Sequence, residues 1–271
     1  MSASTRPNGT RSKTVSVRSI ALPVEHGGWG FTLEPVLLGL LVAPSASAWE
    51  LAVAALAVFL ARRPVKLLLT DLVRRRWLSR TTIAAAFAGA YIVVALTGLA
   101  GALVTGDRRF IVAYGVAVPF ALLALQADSQ SKSRTLRAEL AGAIAMGATV
   151  TAIALADGWS QATAFGLWLV LAARAVTTVT LVRAQIRRVH DREAGAGRVY
   201  AVCLVTVVLL GVLAGFDVVP WLSVVAIAGI GLLAYVSLTR PPVPAKVVGW
   251  TQIATGLVVV LLTATGVWLE V

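Results

Sequence analysis

The chain has 271 residues, of which 58% are hydrophobic and 13% are charged, and its mean hydropathy is +0.86. This composition excludes a soluble domain, because no water-soluble fold of this length needs so much apolar surface. The formal net charge of +12 does not indicate nucleic acid, since Lys and Arg collect in the cytoplasmic loops of membrane proteins; no nucleic-acid partner is predicted. The single cysteine, Cys203, lies in an apolar run and excludes a disulfide framework.

The first 20 residues are polar and basic and contain no central apolar block. A secretory signal would need such a block, so we expect none here. We predict a disordered, basic cytoplasmic tail over residues 1–20 and a single transmembrane helical domain over residues 21–271.

Apolar segments of membrane-spanning character follow one another along the rest of the chain. Nine can be marked, at about 27–44, 48–62, 81–104, 109–126, 138–156, 161–182, 199–216, 218–239 and 247–269. The second segment is predicted to continue as a helix through RRPVKLLLTDLVRRR, and the sixth through LVRAQIRRVH. The predicted fold is therefore all-α, a polytopic membrane bundle of about nine transmembrane helices.

The basic residues are distributed unevenly between the two sides of this bundle. Of the 24 Lys and Arg residues, 21 fall in the N-terminal tail or in segments on the same side, whereas the opposite loops carry only Arg108 and Arg109. Because Lys and Arg concentrate in cytoplasmic loops, this pattern predicts an N-in, C-out orientation. We expect the protein to be multi-pass in the cytoplasmic (inner) membrane of a bacterium, with the lipid bilayer as its first partner.

The motif VEHGGWGFTLEP places Glu25 and His26 at the start of the first span and Glu34 inside it. Gly30 and Glu34 are four residues apart and share a helix face, which lets another helix or a ligand approach closely. Intramembrane carboxylates usually face a bundle interior or a wet cavity, so these three residues are candidate ligand contacts. The alternative is that Glu25 caps the helix, His26 is an interfacial donor and Glu34 pairs with an arginine for structure.

The segment ARRPVKLLLTDLVRRRWLSR holds seven basic residues and one acid. Asp71 and Arg75 have the i,i+4 spacing of a favourable helical ion pair, which leaves the other cations without a local partner. Arg63, Lys66 and Asp71 are candidates for a pocket that binds an anionic ligand. The alternative is a patch that contacts lipid phosphates on the cytoplasmic side.

Charged residues also flank the fifth and sixth spans. At the entry to the fifth, Arg137 and Glu139 are candidate ligand contacts, the alternative being an ordinary polar helix start. At the cytoplasmic end of the sixth span, Arg183 is a further candidate.

Arg174 is the charge that membrane topology explains least. It lies about two and a half turns inside Arg183, at a depth where inserting a cation costs about 2.5–3.5 kcal/mol. Thr177 and Thr178 share its helix face, and Thr177 joins it as a candidate contact. Such an arginine requires a carboxylate or a bound anion as partner. The candidate acids are Glu34, Asp71 and Glu139.

Several of these stretches together resemble the bacterial YwiC-like membrane-protein family. They are EHGGWGFTLEPVLLGLLVAPS, RRPVKLLLTD, RAELAGAIA and RAVTTVTLVRA. The resemblance spans about residues 22–200 and implies a membrane protein without implying a particular activity.

The nine-span, N-in plan is also similar to that of UbiA-type intramembrane prenyltransferases. The resemblance implies two acid-rich stretches, after spans two and six, that hold magnesium and a prenyl diphosphate. In this chain the first stretch keeps only Asp71, with Arg74 in place of the second acid, and TTVTLVRAQIR has no acid at all. Because a magnesium–diphosphate site needs several oxygen ligands, no cofactor and no metal ligands are predicted, although the resemblance itself implies Mg²⁺.

Arginine forks bind phosphate and carboxylate without a metal. We therefore predict an integral membrane protein that binds an anionic amphiphile, of isoprenoid or phospholipid type, in a cytoplasm-facing cavity. If it is an enzyme, it is a UbiA-like transferase that lacks the usual acid-rich metal motifs. The alternatives are a small-molecule transporter or permease, and a non-catalytic membrane scaffold.

Overall fold

The computed structural model describes residues 17–22, 26–129, 135–190 and 193–271, and these ranges contain helices and no β-strand. The helices are α1 (Val17–Ala21), α2 (His26–Val42), α3 (Ala46–Val73), α4 (Ser79–Thr105), α5 (Phe110–Ser129), α6 (Leu136–Ala156), α7 (Gln161–Val189), α8 (Ala196–Gly215), α9 (Trp221–Thr239) and α10 (Ala245–Leu269).

The long helices coincide with the predicted apolar segments, which confirms the all-α fold class. Within the described ranges, α4 to α10 are long and apolar enough to cross a membrane. The apolar part of α2 is shorter, and the second half of α3 carries several basic residues. As predicted, α3 continues to Val73 and α7 to Val189. The chain is therefore a helical protein of the multi-pass membrane type, while the count of nine crossings and their orientation stay predictions.

Helices α6 and α7 form the centre of the bundle. Two-thirds of each apolar span is buried, against 17% for α4 and α5, whose outer faces no other described helix covers. Helix α6 packs against α2, α3, α5 and α7. Its contact with α2 is close, because a side chain at Gly39 would meet Ile153. Glycine at this position lets α2 lie directly on the central helix.

The end of α3 differs from expectation. Arg75 follows the helix with a φ of +50°, in the left-handed region, and the amide of Arg76 returns to the carbonyl of Asp71 at 3.0 Å. Because the helix has already ended, Arg75 does not lie one turn above Asp71. The predicted Asp71–Arg75 pair is wrong, and Asp71 pairs instead with Arg80 at the start of α4.

The N-terminal segment also differs. Residues 17–20 were expected in a disordered tail, yet they belong to α1, where Ile20 and Ala21 are buried. Arg63 on α3 donates to the carbonyl of Ser19, and the Tyr91 hydroxyl on α4 donates to the carbonyl of Ala21 at 3.3 Å. These contacts hold α1 on the bundle, so the tail prediction is wrong for residues 17–20. Residues 1–16 lie outside the described residues.

The two ends of the bundle have different charge. At the end where α3, α5, α7 and α9 finish, basic residues from several helices meet acids and carbonyls of their neighbours; Arg188, for example, donates to the carbonyls of Ser237 and Arg240. The opposite end contains Arg109, which pairs with Asp107 at 2.7 Å. The fold therefore gathers at one end the basic segments that the sequence distributes along its length.

Candidate functional site

Glu34 and Arg174 form an ion pair in the middle of the bundle. Glu34 Oε1 lies 2.6 Å from Arg174 Nη2, and the two residues are only 8% and 3% exposed. Glu34 is eight residues from either end of α2, and Arg174 is close to the midpoint of α7. Of the three acids considered from the sequence, Glu34 is thus the one that partners Arg174.

Glycines allow α2, α7 and α10 to meet around this pair. A methyl group on Gly256 of α10 would overlap both Glu34 Oε1 and Arg174 Nη2, and one on Gly30 would lie 3.3 Å from Glu34 Oε1. Gly30 was expected on this face from its spacing. Gly256 was missed, because a glycine in an apolar run indicates a close approach without saying what approaches.

Arg174 has further partners beyond the carboxylate. Its Nη2 also donates to the carbonyl of Gln252 at 3.0 Å, and Nη1 donates to Thr178 Oγ1 at 3.3 Å. The guanidinium carbon lies 5.3 Å from the ring centroid of Phe31, a cation–π contact. The cation is therefore held from three helices, through one acid, one carbonyl, one hydroxyl and one ring.

Some buried polar atoms at the site have no hydrogen-bond partner among the described residues. They include Arg174 Nε and both the oxygen and the nitrogen of the Gln252 side-chain amide. A guanidinium carries five N–H donors, and each one left unpaired in an apolar interior is costly. Arg174 therefore keeps at least one N–H donor for which the described residues supply no acceptor.

Thr177 does not take part in this arrangement. Its hydroxyl donates to the carbonyls of Ala173 and Arg174 on its own helix, at 2.8 and 3.0 Å. Thr178, one residue further, is the neighbour that receives a bond from the arginine side chain. The shared helix face was correctly identified, but the contact belongs to Thr178.

Asp71 lies in a separate cluster at the end of the bundle where α3, α5, α7 and α9 finish, which we call the basic end. It is 1% exposed and accepts from Arg80 Nη2 at 2.6 Å and from Thr81 Oγ1 at 2.8 Å. The hydrogen bonds from the Arg80 guanidinium and the Thr81 hydroxyl hold the pKa of the Asp71 carboxyl below its usual range. This cluster fastens α3 to α4.

Lys66 and Arg62 share a different acid, Asp128 near the end of α5. Arg62 Nη2 lies 2.6 Å and Lys66 Nζ 3.8 Å from its carboxylate oxygens. Sequence reasoning missed this pairing, because 66 residues separate Arg62 from Asp128 and no local spacing indicates it. Arg63 bonds to the α1 backbone, as described above.

Glu139 and Arg183 form a third pair at this end, with Oε2 and Nε 3.0 Å apart, and Arg137 is exposed. Glu25 lies outside the described residues, and for His26 only the backbone at the start of α2 is described. The predicted site residues are therefore distributed over the central ion pair and several pairs at the basic end. Within the described ranges they form separate ion pairs and not the single cluster that the sequence predicted.

No three His, Cys, Asp or Glu side chains cluster in the part of the chain that the structure describes. The three acids that the sequence offered as partners of Arg174 are each bonded to an arginine: Glu34 to Arg174, Asp71 to Arg80 and Glu139 to Arg183. Each of these arginines binds a carboxylate of the protein itself through a charge-assisted hydrogen bond.

Residues 22–154 match a family model described as YwiC-like protein. The resemblance noted in the sequence is thereby confirmed for a segment that includes Glu34. The match ends before Arg174, Gln252 and Gly256, so it covers one side of the central ion pair. No curated protein and no solved structure matches the chain.

Proposed function

We propose that this YwiC-like membrane protein binds an anionic amphiphile, of isoprenoid or phospholipid type, with the anionic headgroup on Arg174. The observation that carries the proposal is the unpaired hydrogen-bond donor on this buried side chain. It is buried at the middle of a helix, yet its Nε lacks a partner within the described ranges. A phosphate or carboxylate oxygen is the acceptor that suits a guanidinium edge best.

A purely structural role for the ion pair explains these contacts less well. A buried pair that only stabilises the fold is favourable when the remaining donors and acceptors are satisfied. Here Glu34 engages one nitrogen of the fork, while Nε and the Gln252 amide stay unpaired in the described structure. A bound anion would satisfy Nε and would add the second anionic contact that an arginine fork can make.

The surroundings of the site favour an amphiphile over a small hydrophilic anion. Leu33, next to Glu34 on α2, is 44% exposed, and Leu257, next to Gly256 on α10, is 46% exposed. Helices α2 and α10 pack on each other, so exposed apolar side chains flank the seam between the two helices that carry Glu34 and Gly256. A headgroup that reaches Arg174 through this seam would leave its chain among apolar residues.

The membrane arrangement proposed here is N-in with nine crossings, α2 to α10. Helix α2 is about 25 Å long and α3 about 42 Å, at 1.5 Å per residue. A hydrocarbon layer of about 30 Å covers about 20 residues, so the last eight residues of α3, from Lys66 to Val73, would lie on the cytoplasmic side. The concentration of basic side chains at that end supports this orientation.

A transporter is the second candidate, and the depth of the ion pair favours it. Glu34, Arg174 and Gly256 are each near the middle of their helices, and substrate sites of transporters lie near the bilayer midplane. Against it, the opposite end has few ionisable residues, so that a polar path across the whole bundle is not indicated by the described side chains.

The test is lipid analysis of the full-length protein purified in mild detergent. The wild type should carry one enriched class of anionic lipid, and the double variant Arg174→Met/Glu34→Gln should lose it. The double variant is used because removing Arg174 alone would leave a buried carboxylate unpaired. Arg109→Met, at the opposite end, is the matched control and should retain the lipid. Identical lipid profiles in wild type and double variant would contradict the proposal.

A further inference from the structure

We propose that Glu34 is an internal competitor of the ligand, so that an anion binds Arg174 with uptake of one proton by the Glu34 carboxylate. This inference rests on the proposed function and adds a mechanism of regulation to the same site.

The ligand and the Glu34 carboxylate would bind the same nitrogen of Arg174. Glu34 Oε1 lies 2.6 Å from Arg174 Nη2, and the backbone of α10 at Gly256 is so close that a methyl group on this glycine would overlap both groups. A headgroup that engages the fork through Nε and Nη2 must therefore take the position held by the Glu34 oxygen. The carboxylate must then move away from its partner or lose its charge.

Among the described side chains, no second cation is placed to receive Glu34. Helices α3, α6, α7 and α10 pack against α2, and of the described charged side chains on them Arg174 is the one in contact with Glu34. The others belong to the ends of the bundle, among them Glu50 at one end and Arg63, Glu139 and Lys246 at the other. His26, at the start of α2, lies about 12 Å from Glu34 along the helix axis.

Charge balance then fixes the stoichiometry. Before binding, one carboxylate and one guanidinium give the site no net charge. With a monoanion bound and Glu34 still ionised, the buried site would carry one uncompensated negative charge, which an apolar interior does not tolerate. Protonation of Glu34 by a proton from the aqueous phase restores neutrality: an O–H bond forms on the carboxylate, and the ligand keeps its own charge.

The consequence is that affinity depends on pH. Where Glu34 is ionised in the free protein and protonated in the complex, the Kd for a monoanion should rise about tenfold per pH unit. In Glu34→Gln the competitor is neutral at every pH. Binding should then be tight and independent of pH.

The experiment titrates the full-length protein in neutral detergent with phosphatidylglycerol between about pH 5.5 and 8. This lipid is a phosphodiester, so it lacks the second ionisation that a phosphate monoester undergoes near pH 6. Dimethyl phosphate tests the same headgroup chemistry without the lipid, and phosphatidylcholine controls for binding of a lipid without net charge. If phosphatidylglycerol binds and dimethyl phosphate does not, the source of the anion is a lipid; equal binding indicates the free anion.

The expected result is a slope of affinity with pH in the wild type, no slope in Glu34→Gln, and an unchanged slope in Glu50→Gln, a matched change at the opposite end. A slope that persists in Glu34→Gln, or that disappears in His26→Gln instead, would overturn the inference. Should Glu34→Gln fail to fold, proton uptake by the wild type decides: about one proton per bound phosphatidylglycerol supports the inference, and none overturns it.

Different binding results would contradict the competition by Glu34 and the proposed function. Binding that requires Arg174 but does not vary with pH would remove the competition by Glu34 and leave the proposed function intact. No binding of phosphatidylglycerol or dimethyl phosphate at any pH, or binding unchanged in Arg174→Met/Glu34→Gln, would remove both.

Discussion

Gly256 lies so close to Glu34 that a methyl group at position 256 would overlap the carboxylate oxygen. This contact joins α10 to α2 at the level of the central ion pair. We expect Gly256→Ala to force the ion pair apart and to destabilise the protein by about 1–3 kcal/mol through overpacking. The measurement is the melting temperature in detergent. Gly249→Ala on the same helix, where a new methyl group meets nothing within 4 Å, is the control and should melt at the wild-type temperature or above.

The second prediction concerns the coupling of Arg174 with Glu34. Removing one partner strands a buried charge, so Arg174→Met should be less stable than the double variant Arg174→Met/Glu34→Gln. A double-mutant cycle on thermal stability should give a coupling of about 1 kcal/mol or more. The cycle of Arg174→Met with Asp71→Asn should be additive, because Asp71 is bonded to Arg80 and Thr81. Coupling with Asp71 rather than Glu34 would contradict the geometry described here.

Arg174 and its partners show how much of the site could be predicted from the sequence. The burial of Arg174 and its need for an acid were predictable, because a cation inside an apolar helix is tolerated only with a partner. The choice of Glu34 among three acids was not, since it depends on which helices are neighbours. Gln252, 78 residues from Arg174, supplies a carbonyl that no local pattern indicates.

The helices themselves were predictable from the lengths of the apolar segments, including the continuation of α3 and α7 beyond them. The error at Arg75 has a local cause. The i,i+4 spacing has meaning only while the helix continues, and the positive φ of Arg75 ends it first. Residues 17–20 were assigned to the tail because polar composition was taken as disorder, although Ile20 provides an apolar side chain that α1 buries.

The third prediction is that stability depends on pH at the basic end. Hydrogen bonds from Arg80 and Thr81 lower the pKa of Asp71 in the folded protein. A carboxyl with a depressed pKa contributes stability above its unfolded pKa of about 3.9, and this contribution is lost as the pH falls through the folded value. The melting temperature of Asp71→Asn should therefore be below that of wild type at neutral pH, and the difference should shrink below about pH 4. Asp157→Asn, in an exposed turn, should show no such pattern; a difference for Asp71→Asn that stays constant with pH would contradict the prediction.

The fourth prediction is the orientation. Single cysteines are introduced at Ser160 and at Ser79, which are exposed at opposite ends of the bundle, after replacement of the buried Cys203 by alanine. In intact cells a membrane-impermeant maleimide should label position 160 and not position 79, because the basic end is expected to face the cytoplasm. The reverse labelling would invert the orientation.

In the proposed function, Arg174 holds an anionic headgroup. The most direct measurement is an experimental structure of the protein in nanodiscs containing phosphatidylglycerol, at a resolution that defines the Arg174 side chain. We expect density for a phosphate with an oxygen within hydrogen-bonding distance of Arg174 Nε, and no such density in nanodiscs of phosphatidylcholine alone. Density in phosphatidylglycerol nanodiscs that shows Arg174 bonded only to Glu34, Gln252 and Thr178 would contradict it.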